Sequence, residues 1–353
     1  MHKRIIFPVL TVALTTAFII TSCNKDEGAV DTTQLKKDIL TNTANNVCLA
    51  GYEDMYSKTQ QLLTAVTTLS GGPTEANLTA SRQLWKDIRN TWEKSEAWLF
   101  GPVSADNIDP RIDTWPVDFN SLDSILATDN TLNEGYVDGL DDALKGFHPI
   151  EYLLWGQNGN KAAATFTDRE KQYLISLATN LNTLSKEVRD SWKNGYATKL
   201  ATAGNGSTEY TTKVAAYTEL VDAMAGICDE VANGKIKDPF DLQDPTQEES
   251  PFAKNSITDF TNNVQGVMDV YQGKFSSNGQ GLEDLVRSYN LSLDNDIKTA
   301  HAAAIASLQA ITVPFGQAIG TQQTQVQNAM IKINALKDVL ETKLAPFVLQ
   351  YGE

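Results

Sequence analysis

The chain has 353 residues, with 44 acidic against 29 basic side chains and a formal charge of −15. That balance repels phosphate backbones and argues against nucleic-acid binding. Three cysteines are too few for a cysteine-based zinc site, and Cys48 and Cys228 carry no spacing that tells whether they pair.

The N-terminus, MHKRIIFPVLTVALTTAFIITSC, has a short basic start (Lys3, Arg4), an apolar run from Ile5 to Ile20 and small residues before Cys23. This is the pattern of a cleaved secretory signal over residues 1–22 rather than of a membrane-spanning helix. Ile20-Thr21-Ser22-Cys23 resembles a bacterial lipobox. The resemblance implies cleavage before Cys23 and lipid on its thiol and new amino terminus. Two or more acyl chains anchor a protein stably. The expected location is therefore the bacterial cell envelope, with the chain anchored to the outer membrane and exposed to the periplasm or the surface. Loss of Lys3 and Arg4 makes the charge −15 − 2 = −17. Residues 23–35 are polar and read as a tether. Within them, NKDE resembles the acidic export signal of some Bacteroidetes surface lipoproteins.

From there the pattern is helical. Trp85, Ile88, Trp92 and Leu99 recur at helical spacing. Glu96 lies on the same stripe, so its carboxylate is buried and needs a partner: Arg82, Arg89, or a functional site. Residues 101–121 are irregular, with three prolines. GNGS at 204–207 reads as a turn between helices. A third irregular region, 233–252, is rich in proline and acids. Further stripes follow: Ile257, Phe260, Val264, Val267, Tyr271; then Ile297, Ala304, Leu308, Ile311, with His301 in line; then Met330, Ile333, Leu336, Val339, Leu340, Leu344. The fold expected is all-α, with an N-terminal helical domain over 36–210 and a C-terminal helical bundle over 211–353.

The stretch KGFHPIEYLLWG (145–156) carries His148, one of three histidines in the chain. Pro149 is favoured at a first helical position, which places His148 just before a helix and Glu151 at its third position. There Glu151 could turn back to the backbone of residue 148 as a capping box. The same geometry lets imidazole and carboxylate converge on a metal or exchange a proton. Both readings fit the spacing. With so few histidines, a metal at His148 needs mostly oxygen ligands, which suits iron, manganese or a weak zinc site.

These segments together resemble the imelysin family, which also includes iron-regulated protein A. GFHPIEYLLWG carries the family's G-x-H-x-x-E as Gly146, His148 and Glu151. LWKDIRNTWEKSEAWLFGP resembles the helix with the family glutamate, here Glu96. IDTWPVD resembles its Trp-Pro-x-Asp loop, here Trp115, Pro116 and Asp118. EESPFAKNSITDFTNNVQGVMDVYQG resembles the C-terminal segment, with Glu249, Ser250 and Asn255. The four segments occur in family order over about residues 40–275. The resemblance implies two helical-bundle-like domains, with the His/Glu motif near their interface, and a link to iron acquisition. It implies a metal site of His148, Glu151 and Glu96, lined by Gly146, Trp115, Asp118, Glu249, Ser250 and Asn255. Ala253 departs from the family pattern, where a second serine is frequent, and this weakens any ligand inference from the second half.

Three functions compete. One is a lipid-anchored binding protein for iron or an iron-bearing ligand, working with an iron-uptake or other envelope protein. Another is a metallopeptidase acting through a zinc-bound water, as the family's peptidase label implies. The third is a surface adaptor in which the His/Glu motif only holds the fold.

Overall fold

The computed structural model describes residues 31–353. The signal peptide over 1–22, the lipidation site Cys23 and the tether up to residue 30 lie outside the described residues. The last part of the expected tether, 33–35, is already helical. Thr32–Glu353 forms one compact unit. It is all-α, with no strand among the described residues. None of its helices is long and apolar enough to cross a membrane.

The first helices are α1 (Thr33–Asn42), α2 (Ala50–Gly71) and α3 (Glu75–Ser95). Thr74 starts α3, its hydroxyl accepting the Asn77 N–H at 3.2 Å, which satisfies one of the unpaired amides of a helix start. The apolar stripe of α3 is buried as its period requires: Leu78, Trp85, Ile88 and Trp92 are solvent-free. Next come α4 (Phe147–Trp155) and α5 (Asp168–Ser191). A capping box of Thr167 and Glu170 opens α5. The later helices are α6 (Lys213–Glu230), α7 (Ser256–Gln272), α8 (Leu291–Gln309) and α9 (Gln323–Val339).

α2 packs on α3 and α5, and α4 on α3 and α5; α9 packs on α6 and α8, and α7 on α6 and α8. The expected segments 36–210 and 211–353 meet inside the unit along α3 and α7. Gly266 sets that contact: a Cβ there would lie 2.2 Å from the Lys94 carbonyl oxygen. Only glycine lets the two backbones come so close.

The two proline-rich irregular regions are not open loops. Residues 101–121 fold into short helical turns, Pro102–Ala105 and Ile108–Asp113, before a helix at Phe119–Ala127. Residues 233–252 begin in a wide turn, Val231–Lys235, and continue as Lys237–Leu242 and Pro245–Gln247. Cys48 and Cys228 are free and buried. His301 is half-buried on α8 and bonded to the Val264 backbone, a packed helix residue as its stripe position suggests.

Candidate metal centre

α4 starts earlier than Pro149 implies. Its first residue is Phe147, preceded by Gly146 at φ +79°. Pro149 is tolerated at the third position because the first amides of a helix have no partner within it. Glu151 consequently lies two positions further in, at the fifth, and does not close a capping box. Its Oε1 accepts the Ala253 N–H at 2.7 Å, from a segment a hundred residues away. Gly146 has a second role. A Cβ there would meet the Ile112 carbonyl oxygen at 2.0 Å. The close pass brings the next residue, Asp113, beside His148.

His148 is solvent-free. Its Nε2 lies 3.1 Å from Asp113 Oδ1 and 3.8 Å from Glu249 Oε1. Neither ring nitrogen makes a well-formed hydrogen bond among the described residues; Nε2 and Asp113 are an ion pair when the ring is protonated. Nδ1 faces the other way, 3.6 Å from Glu151 Oε2. The Trp115 ring packs edge-on at 4.9 Å. Asp113, His148 and Glu249 thus offer three ligand atoms within 4.8 Å of one another. Glu93, Glu96 and Asp113 form a second such group. Bonds of ~2.1 Å in a four-coordinate site put ligand atoms about 3.4 Å apart, and the two Nε2 spacings, 3.1 and 3.8 Å, lie either side of that value. A buried imidazole nitrogen amid carboxylates is, once deprotonated, chemically suited to a divalent ion.

Two basic side chains hold the acids together. Arg89, solvent-free, binds Glu93, Asp113, Glu249 at 2.6 Å and Asp259 at 3.7 Å. Lys235 binds Glu96 at 2.9 Å, Glu93 at 3.4 Å and Glu249 at 3.6 Å. The partner of Glu96 is therefore Lys235, with Asn263 donating a further bond at 2.6 Å. It is neither Arg82, which caps the Leu154 and Lys161 carbonyls, nor Arg89. Trp92 donates its indole N–H to Asp113 Oδ2 at 2.6 Å.

The electrostatics follow from burial and these neighbours. Burial and the adjacent Glu93 push the Glu96 carboxyl well up, against the pull of Lys235. Burial raises Glu93 and Glu151 as well. Burial would also raise Asp113, but Arg89 and His148 outweigh it and hold it well below the usual carboxylate range. His148 would be pushed down by burial; the carboxylates of Asp113 and Glu151 reverse this and lift it to about 9. Asp259 is pushed up to about 8 by burial, against Arg89. The cluster carries more carboxylate than its fixed cations neutralise, a state that favours uptake of a cation or of protons.

A cleft of about 440 Å³ runs to this cluster, lined by Glu96, Asp113, Trp115, Lys235 and Glu249, with Asp109, Glu230 and Asp238 also in its walls. Of Glu249, Ser250 and Asn255, Glu249 reaches His148, at 3.8 Å. Ser250 and Asn255 bond Asp259, at 2.6 and 2.7 Å, rather than the His148 group. Asp118 does not join the site. It is exposed and caps the helix Phe119–Ala127 through the Ser121 N–H at 3.1 Å.

Sequence reasoning did not single out Asp113, Glu93 or Lys235. Their only signal is position: Asp113 two residues before Trp115, Glu93 three before Glu96, and Lys235 at the head of the third irregular region. Despite the Ala253 departure, the second half contributes Glu249, and Ala253 itself reaches Glu151 through its backbone.

Relatives place this architecture. The imelysin family model matches residues 48–342. Iron-regulated protein A of Synechococcus elongatus is 31% identical over 313 residues, 86% of this chain and 84% of that protein. A crystal structure from Parabacteroides distasonis, assigned as an iron-regulated protein A precursor, superposes with a TM-score of 0.80 at 23% identity. It covers 92% of this chain and 97% of its own. An imelysin-like protein from Psychrobacter arcticum gives 0.73 at 16% identity, covering 89% and 96%. These two show the shared fold. With the matched model, the identity to the Synechococcus protein and the ordered segments around His148, the chain belongs to the imelysin family.

Proposed function

We propose that the protein is a lipid-anchored envelope protein, held to the outer membrane through Cys23, that binds iron or an iron-bearing ligand in iron acquisition. The observation that carries this reading is the buried Nε2 of His148, without a well-formed hydrogen bond, beside Asp113 and Glu249, which line an acidic cleft. One imidazole with several carboxylates suits iron and also accepts zinc. The name of the Synechococcus relative, iron-regulated protein A, favours iron. Asp113, His148 and Glu249 would hold the ion. Glu151, on Nδ1, would fix the ring's orientation, as outer carboxylates do for metal-bound histidines. Glu96 and Glu93 lie next in line. An iron-uptake or other envelope protein is the expected partner.

The test is calorimetric titration of ferrous, ferric and zinc ions into residues 24–353, beside His148→Ala and Glu151→Gln. Stoichiometric binding is expected, lost in His148→Ala and ~10–100-fold weaker in Glu151→Gln. No binding to the native chain, with both variants merely less stable, would overturn the metal reading in favour of an adaptor. Hydrolysis of a denatured protein, stopped by a chelator and lost in Glu151→Gln, would move the assignment to a metallopeptidase.

A further inference from the structure

Lys235 stands out because the metal reading gives it no role. Its ammonium lies 2.9 and 3.2 Å from the two Glu96 oxygens, 3.4 Å from Glu93, 3.6 Å from Glu249 and 3.9 Å from Glu230. It touches Glu93 and Glu96 of one candidate ligand group and Glu249 of the other. We propose that Lys235 is a displaceable cation: it fills the acid floor of the cleft when no metal is present, and its departure sets how tightly and how selectively a metal is taken. This rests on the metal-binding reading above.

Three observations separate Lys235 from Arg89. Each is tied to four carboxylates, but Arg89 is solvent-free. Its planar fork is fixed by several directed bonds at once. Lys235 instead lines the cleft, and its side chain keeps 10% exposure. Its ammonium is a point charge on a flexible four-carbon stem, which swings about its own bonds. Lys235 ends the wide turn Val231–Lys235, beside Gly234, which also lines the cleft.

The ammonium also has somewhere to go. The Glu230 carboxylate is 54% exposed, and Asp238 lines the same cleft. An ammonium leaving Glu96 meets acceptors further out instead of losing every partner. A metal sharing Glu249 would lie within a few ångströms of both Arg89 and Lys235; cations that close repel strongly in a buried site, and of the two only Lys235 reaches the cleft and can move away. The exchange also discriminates by charge. A monovalent ion offers the floor no more charge than the ammonium it replaces and brings no N–H donors. A divalent or trivalent ion adds charge to a cluster that is short of it. Lys235 thus acts as a threshold that sodium and potassium do not cross.

The test compares residues 24–353 with Lys235→Met, Lys235→Gln and Lys235→Arg, titrated with zinc and with anaerobic ferrous iron. With the competitor removed, Lys235→Met binds at least tenfold tighter. Lys235→Arg, which holds the acids with a fork, binds more weakly than the native chain. Lys235→Gln retains a donor for Glu96 and covers the case in which the Met variant does not fold. A second readout is acylation of Lys235 by an amine-reactive reagent, followed by peptide mass spectrometry. Metal should raise its labelling severalfold and leave that of exposed Lys186 unchanged. Unchanged or weaker affinity in both Lys235→Met and Lys235→Gln would overturn the proposal, as would labelling of Lys235 that metal leaves alone or suppresses. Native binding with no gain in the variants defeats only this inference. Binding by Lys235→Met but not by the native chain would show an ammonium that metal does not displace, and would overturn both the metal reading of the native protein and this proposal.

Discussion

His148 shows how one side chain can be read in two ways. Its imidazole is pushed down by burial and lifted by Asp113 and Glu151, ending at about 9. A value above the ordinary 6.5 means that the proton is bound more tightly in the fold than in the unfolded chain. In metal-free protein the resulting stabilisation is complete below pH 6.5 and is lost as pH rises through about 9. The stability advantage of the native chain over His148→Gln should therefore shrink by roughly 3 kcal/mol between pH 6 and pH 10. Urea denaturation in the presence of a chelator measures this, and a constant difference across that range would sink it. The same proton must leave before Nε2 can bind a metal.

At the scale of the element, the helical stripes were legible because they follow from a local period. Trp85, Ile88 and Trp92 are buried where that period puts them. The start of α4 was less legible. Pro149 satisfies a first helical position, but the conformation that starts the helix belongs to Gly146, three residues earlier, and its reason is the close pass of Ile112. The site itself was legible only in part. His148, Glu151, Glu96 and Glu249 announce themselves through family segments. Asp113 and Lys235 matter because two irregular regions converge, and no local pattern records that. The α3–α7 contact gives a direct check. Gly266→Ala would place a Cβ 2.2 Å from a backbone oxygen that cannot rotate aside. Stability should fall by about 1–3 kcal/mol. Metal affinity should fall with it, because α3 carries Glu93 and α7 carries Asn263, which bonds both Glu93 and Glu96. Unchanged stability in thermal melts would show that the helices part freely.

Across the whole molecule, the charged cluster is a junction. Arg89 on α3 reaches Asp113 from the first irregular region, Glu249 from the third and Asp259 on α7. Buried charges of this kind are costly to leave unpaired, so the two sets of helices are bound to each other's integrity. A metal that binds only the folded chain should raise the stability of the entire unit, by about 2.7 kcal/mol at a hundred times its dissociation constant. Calorimetric scanning should show one transition that moves as a whole. Two transitions, only one of them moved by metal, would contradict this.

The two buried thiols turn that question into a kinetic one. Cys48 precedes α2 and Cys228 lies on α6; burial raises both, the latter to about 12. A folded molecule thus presents neither sulfur as a thiolate to a modifying reagent. In a chain beginning at residue 24 they are the only cysteines, one in each set of helices. Each is a clock that runs only while its own surroundings are open. If the junction couples the halves, the clocks keep the same time, and metal slows both by the same factor.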